Sequence, residues 1–582
     1  KRSTSMRLSK SVSPNATSLY VIKSVIIDGR RTSRIVEKLG TIKELEEKLG
    51  DRDPVEWANE YIARLNEEEK SGRSEVTARF SPSRIIPKGD EVMYNGGYLF
   101  LQSIYHELGL DRICSRISED KKFSYDLDSI LSRLIYTRIL YPSSKLSSYE
   151  SSKSFIEPPM FELHQIYRAL EVLAKESDMI ESQVYMNSLD TIKRNTRILY
   201  YDCTNYFFEI ESQEGMKQYG VSKENKPNPI VQMGLFMDGD GLPLAFTLNP
   251  GNSNEQLTLK PIEKRIISDF SLSKFIICAD AGLSSIANRK YNSVGDRAYV
   301  VTQSIKKLKE HLKEWALSPE GWGLQNRGNK ISLDSIDDSS DNEAVYFKER
   351  WMVEDGLEQR LIVTYSPKYK EYQRFIRNEQ LSRAANRMET PSAVRRKKQN
   401  DPGRFIVSTH CTEDGEVAGK EILSLDMEAF AEEQRYDGFY GICTNLESDP
   451  EEILKINRNR WEIEESFRIL KSEFKARPVY LNRDDRIKAH FLTCFLSLLV
   501  YRMLEKKLGN KFTCREITGQ LKKMQFWKLK GEGYVPAYTR TDLTDALHDA
   551  FGFRTDSEIV DQKKMKNIFK TTKKAKTLRT SE

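Results

Sequence analysis

Ile198-Leu199-Tyr200-Tyr201-Asp202 and Phe275-Ile276-Ile277-Cys278-Ala279-Asp280 are two short apolar runs, each closed by an aspartate. Runs of this length without polar alternation read as central strands buried on both faces of a sheet. Between them, Pro229–Met237 and Pro243–Asn249 flank Asp238-Gly239-Asp240-Gly241 and read as a hairpin. A helix is expected at about Glu255–Ile267, and Ala298–Gln303 reads as a further strand. Strand, hairpin, helix, strand, helix, strand in that order predicts a mixed α/β sheet.

Upstream, residues 95–195 repeat apolar side chains at helical spacing (Leu101, Ile104, Tyr105, Leu108; Ile130, Leu131, Leu134, Ile135) and read as an all-helical module. Residues 19–40 alternate around Asp28-Gly29, a hairpin signal, and a charged helix is expected at Ile42–Glu69. Downstream, residues 304–433 mix charged stretches with expected strands such as Arg360–Tyr365 and read as a largely β insertion. Strand character returns at Gly438–Thr444, followed by a long helix at Pro450–Lys475 and an apolar one at Arg486–Leu508 that is expected to close the core. The expected division is 1–90 (hairpin, helix, linker), 91–196 (helical module), 197–303 and 434–508 (two halves of the core), 304–433 (insertion) and 509–582 (C-terminal region with a basic tail).

The chain has 582 residues, ample for several domains, and 31 % charged residues with a mean hydropathy of −0.59. That composition excludes a long disordered protein. The most apolar run, Phe491–Tyr501, is about half the roughly 20 residues of a membrane span, so no membrane is expected. The opening residues show no secretion-leader pattern. Seven scattered cysteines without a C-x-x-C pair argue against a zinc module and for a cytoplasmic location, and six scattered histidines add no metal cluster. Any metal must therefore be held by carboxylates. The net charge of +6 is segregated: Lys563–Glu582 alone carries +7, and Arg374–Lys398 holds eight basic residues against Glu379 and Glu389. These segments, including Arg395, Arg396, Lys397 and Lys398, are candidate phosphate contacts, with solvated loop or tail as the alternative.

Carboxyl ends of strands are where sites assemble in open α/β sheets, so Asp202 and Asp280 on neighbouring strands can share a hard cation. Singly, each could be an ordinary turn or cap residue. A third element is Asn459-Arg460-Trp461-Glu462-Ile463-Glu464-Glu465-Ser466-Phe467-Arg468-Ile469-Leu470-Lys471. On one continuous helix Arg460, Glu464 and Lys471 fall within an arc of roughly 40° beside the apolar stripe, whereas Glu465 points away and is expected to be solvated. Two aspartates, a glutamate and cations suit phosphodiester chemistry, in which two divalent ions about 4 Å apart activate one oxygen and relieve charge on another. Ordinary i,i+4 ion pairs on an amphipathic helix are the competing reading.

The spacing Arg460-x3-Glu464-x6-Lys471 resembles the Y-x2-R-x3-E-x6-K signature of DDE insertion-sequence transposases with an RNase H-like core, and Asp202 and Asp280 match that family's first two acids in kind, order and strand context. The signature's Tyr falls at Asn457. The resemblance implies an RNase H-like mixed sheet interrupted by an insertion, with Asp202, Asp280 and Glu464 holding two Mg²⁺ (Mn²⁺ as substitute) and Arg460 and Lys471 orienting phosphates. It also implies cleavage at transposon borders and joining of 3′-hydroxyl ends to target DNA. The partners it implies are double-stranded DNA, meaning terminal inverted repeats and target, and a homodimer or larger synaptic complex. A bacterial, nucleoid-associated setting follows from the same resemblance. Trp461 stands where cut-and-paste relatives place an aromatic that stabilises a flipped base, with Trp315, Trp322 or Trp351 as partner wedges; a tryptophan that packs the helix against its neighbours is the alternative. A metal-dependent nuclease without strand transfer and a silent DNA-binding descendant remain the competing functions.

Overall fold

The computed structural model describes residues 5–14, 16–27, 30–70, 76, 78, 80–324, 327–336, 343–389, 401–411 and 417–574. These form two compact units. A central unit comprises Lys193–Arg468 and Arg477–Tyr480, and a terminal unit comprises Lys1–Ile192, Ile469–Ala476 and Leu481–Glu582.

The central unit is organised by one ten-stranded sheet. Its strands are β1 (Ile198–Phe207), β2 (Ile230–Asp238), β3 (Pro243–Pro250), β4 (Ile276–Ala279), β5 (Ala298–Gln303), β6 (Trp322–Leu324), β7 (Arg327–Ile331), β8 (Tyr346–Glu354), β9 (Leu357–Tyr365) and β10 (Phe439–Thr444). The order is β7-β6-β8-β9-β10-β5-β4-β1-β2-β3. Strands β1, β4 and β5 run parallel, and the remaining neighbours are antiparallel. The fold is thus the mixed α/β architecture expected. β2 and β4 are buried throughout, as the lack of alternation in their sequences requires. The strands of residues 304–433 extend this sheet, because β10 pairs with β5 on one side and β9 on the other. That segment also holds the helix Pro367–Met388 and a separate hairpin of Ile406–Cys411 with Val417–Leu425.

The expectations for β1 and for the helix after β10 need correction. β1 does not end at Asp202: Cys203–Phe207 continue it and pair with β2, being β-prone residues with a partner strand available. The long helix expected at Pro450–Lys475 is three pieces, Pro450–Arg458, Trp461–Arg468 and a π-helical turn Ile469–Glu473, with Asn459 and Arg460 in the turn between the first two.

In the terminal unit, Arg7–Ser13, Ala16–Ile27 and Arg30–Thr41 form a three-stranded sheet. The expected turn Asp28-Gly29 lies outside the described residues. Two helices, Ile42–Leu49 and Pro54–Lys70, replace the single one expected, since Gly50 closes the first at φ +63° and Pro54 opens the second. The helical module is present as Tyr98–Glu107, Leu110–Lys121, Leu127–Leu140, Lys145–Ser152, Leu163–Lys175 and Ser177–Leu189. The helix Asp484–Lys507, expected to close the catalytic core, packs instead against Tyr98–Glu107, Leu127–Leu140 and Leu163–Lys175. It is long and apolar enough to cross a membrane, but its apolar surface runs all round and is buried among these helices. The basic C-terminal segment is folded as far as Thr572: helix Gln562–Thr572 buries Met565 and Ile568, and Thr572 Oγ1 donates to Gln102 Oε1 at 2.9 Å. Residues 575–582 lie outside the described residues.

The β2–β3 hairpin is locked by a fully buried ion pair. Arg194 Nε lies 2.6 Å from Asp238 Oδ2, and Nη2 donates to the carbonyls of Leu242 and Pro243. Asp238 Oδ1 accepts the N–H groups of Asp240 and Leu242. Removing one partner strands the other charge in the interior. Asp238→Ala should therefore cost about 3–5 kcal/mol in a urea titration that follows the central unit. A loss well below 1 kcal/mol would contradict this account of the hairpin.

Candidate metal and phosphate site

Parallel pairing of β1 with β4 ends at Tyr201 opposite Ala279. The next residues on the two chains are Asp202 and Asp280, so the register itself sets the two acids side by side at neighbouring-strand spacing. Tyr201 is fixed behind them by its hydroxyl, which lies 2.8 Å from Thr258 Oγ1. Gly234 on β2 makes room for that hydroxyl, since a Cβ there would stand 2.2 Å from Tyr201 Oη.

Asp280 opens a 3-10 turn, Ala281–Leu283, without capping it through its side chain. Its carboxylate faces Arg460 instead, with Arg460 Nη1 at 3.4 Å from Asp280 Oδ1. The same guanidinium reaches Glu464, Nη2 to Oε1, at 3.3 Å. Arg460 therefore bridges the second and third acids from the turn between two helices. Trp461–Arg468 packs on β1 and Pro450–Arg458 on β5, and Tyr200 on β1 donates to the carbonyl of Ile456. These contacts carry the helical acid to the strand acids.

Asp202 is the most desolvated of the three. Burial pushes its carboxyl up to about 6, against the pull of Lys223, the Cys203 N–H and Arg460. Lys223, which the sequence analysis did not single out, donates to the Cys203 carbonyl at 2.5 Å and pairs with Glu255 at 3.1 Å. Burial works against its charge, but Asp202 and Glu255 outweigh it and hold its pKa above the ordinary lysine value. Lys223 lies in a polar loop whose sequence has no periodicity, so no pattern could have selected it. Asn205 would have been the only local sign: its side chain accepts the Lys223 N–H and donates to the Val221 carbonyl.

The other predicted residues divide. Trp461 is exposed, 55 % of its surface, and so does not serve as a packing residue. Trp322 is wholly buried against Tyr365 and Phe439 and cannot be a wedge, whereas Trp351 is 45 % exposed. Glu465 is half-buried and paired with Arg468, contrary to the solvated position expected, because an i,i+3 arginine folds over it. Lys471 lies on the π-helical turn and belongs to the terminal unit, so the arc drawn for a continuous α-helix does not apply to it. Arg395, Arg396, Lys397 and Lys398 lie outside the described residues. Asn457, at the signature's Tyr position, donates to Tyr440 Oη at 3.5 Å, so a phenol still stands beside it.

The donor set fits hard divalent cations. Asp202, Asp280 and Glu464 offer only oxygens, and the side chains of Asp280 and Glu464 are 47 % and 60 % exposed. A histidine-containing group also exists, contrary to expectation: Asp545, His548 and Asp556 place ligand atoms within 4.8 Å of one another. Arg540 and Arg554 already claim its carboxylates, and Asp556 is driven down to about 2 mainly by Arg554, so it is an ion-pair network.

Similarity to known proteins places the chain in a family. The family model described as "Transposase DDE domain" matches residues 207–500, just over half of the chain, and the chain belongs to that family. The match contains Asp280 and Glu464 and begins five residues after Asp202. Among solved structures the chain is distantly similar to the piggyBac transposase synaptic complex with hairpin DNA, at 9 % identity over 83 % of this chain and 85 % of that one, TM-score 0.34. It is also similar to the Mos1 transposase paired-end complex with left transposon end, at 14 % identity over 43 % and 68 %, TM-score 0.13. No curated protein matches the sequence.

An acid whose pKa is raised on folding binds its proton more tightly in the native state, so its contribution to stability is present below the unfolded value near 3.9 and is lost as pH rises through about 6. Metal-free Asp202→Asn should therefore melt at a higher temperature than the unaltered protein at pH 7.5, with the gap closing towards pH 4. Equal melting temperatures at pH 7.5 would show that Asp202 bears no such burden.

Proposed function

We propose that this chain is a DNA transposase that cleaves phosphodiester bonds at the borders of a mobile element and joins the freed 3′-hydroxyls to target DNA. The observation that carries the reading is the adjacency of Asp202 and Asp280 in parallel register, with Arg460 linking Asp280 to Glu464. Family membership supports the same class of activity.

In this reading Asp202, Asp280 and Glu464 hold two divalent ions, Mg²⁺ or Mn²⁺. When bound, such ions supply an activated water or hydroxyl oxygen and charge relief for the leaving oxygen. The chain's own groups do the rest. Asp202, within strand β1 and paired there with Leu235 of β2, gives a donor whose position the strand register fixes. Arg460, on a short turn, places a planar cation where a backbone phosphate meets the acids. Lys471 is the second proposed phosphate ligand. The exposed Trp461 offers a stacking face for an unpaired base next to Arg460. Residues 1–90 and 91–196 are proposed to read the element ends, residues 197–303 and 434–508 to carry out the chemistry, and a dimer or larger assembly to pair two ends. Arg395–Lys398 and the basic C-terminus are proposed backbone contacts.

Incubation with labelled element ends, a target plasmid and Mg²⁺ should give joined products. Nicked ends without joining would replace the reading with that of a nuclease. Asp202→Ala and Glu464→Ala should each abolish cleavage while leaving retardation of end DNA in a gel unchanged, and activity retained in Glu464→Ala but lost in Glu465→Ala would overturn the assignment of the third acid. Trp461→Ala should weaken unstacking of the terminal base by about 1–3 kcal/mol, seen as a smaller 2-aminopurine fluorescence rise at the element end. An unchanged signal would remove Trp461 from that role.

A further inference from the structure

The loop between β1 and β2 is held in place near Lys223. Asn205, itself buried, holds the loop backbone at Val221 and Lys223, and Glu224 pairs with Arg477. From this fixed point the Lys223 side chain turns back onto the site: its ammonium bonds the carbonyl of Cys203, the neighbour of Asp202, and pairs with Glu255. Ordering the Lys223 side chain there gives up the rotamer freedom it would keep in water.

Charge counting shows what this lysine does to the site. Asp202, Asp280, Glu464 and Glu255 are four acids, and Arg460 and Lys223 are the two cations that face them. With both cations in place the group is two charges negative, whereas two divalent ions carry four positive charges. The full complement of metal is balanced by the acids only when Lys223 and Arg460 are drawn off, and phosphate oxygens are the anions that a DNA substrate brings.

We propose that Lys223 is a displaceable counter-cation of the catalytic acids: it holds the Asp202 and Glu255 side of the site while DNA is absent and moves to a DNA phosphate as divalent ions take the acids. This rests on the reading of the acids as the metal site. Metal and DNA then bind with positive coupling, each lowering the cost of the other, and the coupling is reciprocal.

The test uses the full chain. Mn²⁺ alone is titrated into DNA-free protein and followed by electron paramagnetic resonance. Lys223→Met should bind Mn²⁺ about tenfold more tightly than the unaltered chain, and Lys223→Arg, which keeps the charge, should bind as the unaltered chain does. In a second arm, the salt dependence of duplex binding is compared in EDTA and in Ca²⁺. Lys223→Met should leave the slope unchanged in EDTA and reduce it by about 0.9, one phosphate contact, in Ca²⁺. A Mn²⁺ affinity for Lys223→Met equal to or below that of the unaltered chain, in protein whose circular dichroism and melting show it folded, overturns the proposal. An equal loss of slope in both buffers does so too, since it marks an ordinary phosphate contact. Asp202→Ala separates the two readings. If it abolishes Mn²⁺ binding while Lys223→Met changes nothing, the counter-cation alone fails; if it keeps the full affinity, the metal site itself fails and takes the counter-cation with it.

Discussion

Carboxylates gathered in one place repel one another, and the central unit sets two cations, Arg460 and Lys223, against its acids. Arg460 lies 3.4 Å from Asp280 and 3.3 Å from Glu464, reaching a strand end with one nitrogen and a helix with the other. The rest of the unit can be seen as what this contact requires. Parallel pairing of β1 and β4 puts Asp202 next to Asp280, packing of Trp461–Arg468 on β1 brings Glu464, and the break at Asn459 and Arg460 frees the arginine from a helical register.

The parts legible in sequence were those with a local physical signature. Unbroken apolar runs revealed β1 and β4, Asp238-Gly239-Asp240-Gly241 revealed the β2–β3 hairpin, and 3.6-residue periodicity revealed the helices of residues 98–189. Three acids were named because each sits in a patterned element. The remainder depended on contacts between distant segments, which no window of sequence contains. Lys223 joins the site through a loop set by Asn205, on the preceding strand. Trp322 and Trp351 look alike in sequence, and only the packing of Tyr365 and Phe439 around the first separates them. The helix Asp484–Lys507 is apolar on every face, which says that it is buried but not among which partners. The π-helical turn at Ile469–Glu473 likewise has no sign in the apolar spacing, yet it takes Lys471 off the arc that a straight α-helix assigns it.

Charge follows the same division between local and distant. The basic C-terminal segment looked like a tail because its lysines outnumber its apolar residues, but Met565 and Ile568 suffice to seat Gln562–Thr572 on Tyr98–Glu107. Asp545, His548 and Asp556 meet as a trio only through the turn that follows helix Asp542–Phe551, and Arg540 and Arg554 arrive with them. Both acidic groups thus come with arginines. They differ in exposure and balance: Asp556 is held low by its arginine, whereas Asp202 is held high by burial.

The claim on which the account rests is that divalent metal is held by Asp202, Asp280 and Glu464. Loading the protein with Fe²⁺ in place of Mg²⁺ and adding ascorbate and peroxide generates radicals that cut the polypeptide within a few ångströms of the ion, and the fragments can be mapped by mass spectrometry. The account predicts cuts beside residues 202, 280 and 464, suppressed by excess Mg²⁺. Cuts confined to the neighbourhood of Asp545, His548 and Asp556, or a pattern that Mg²⁺ does not suppress, would contradict it.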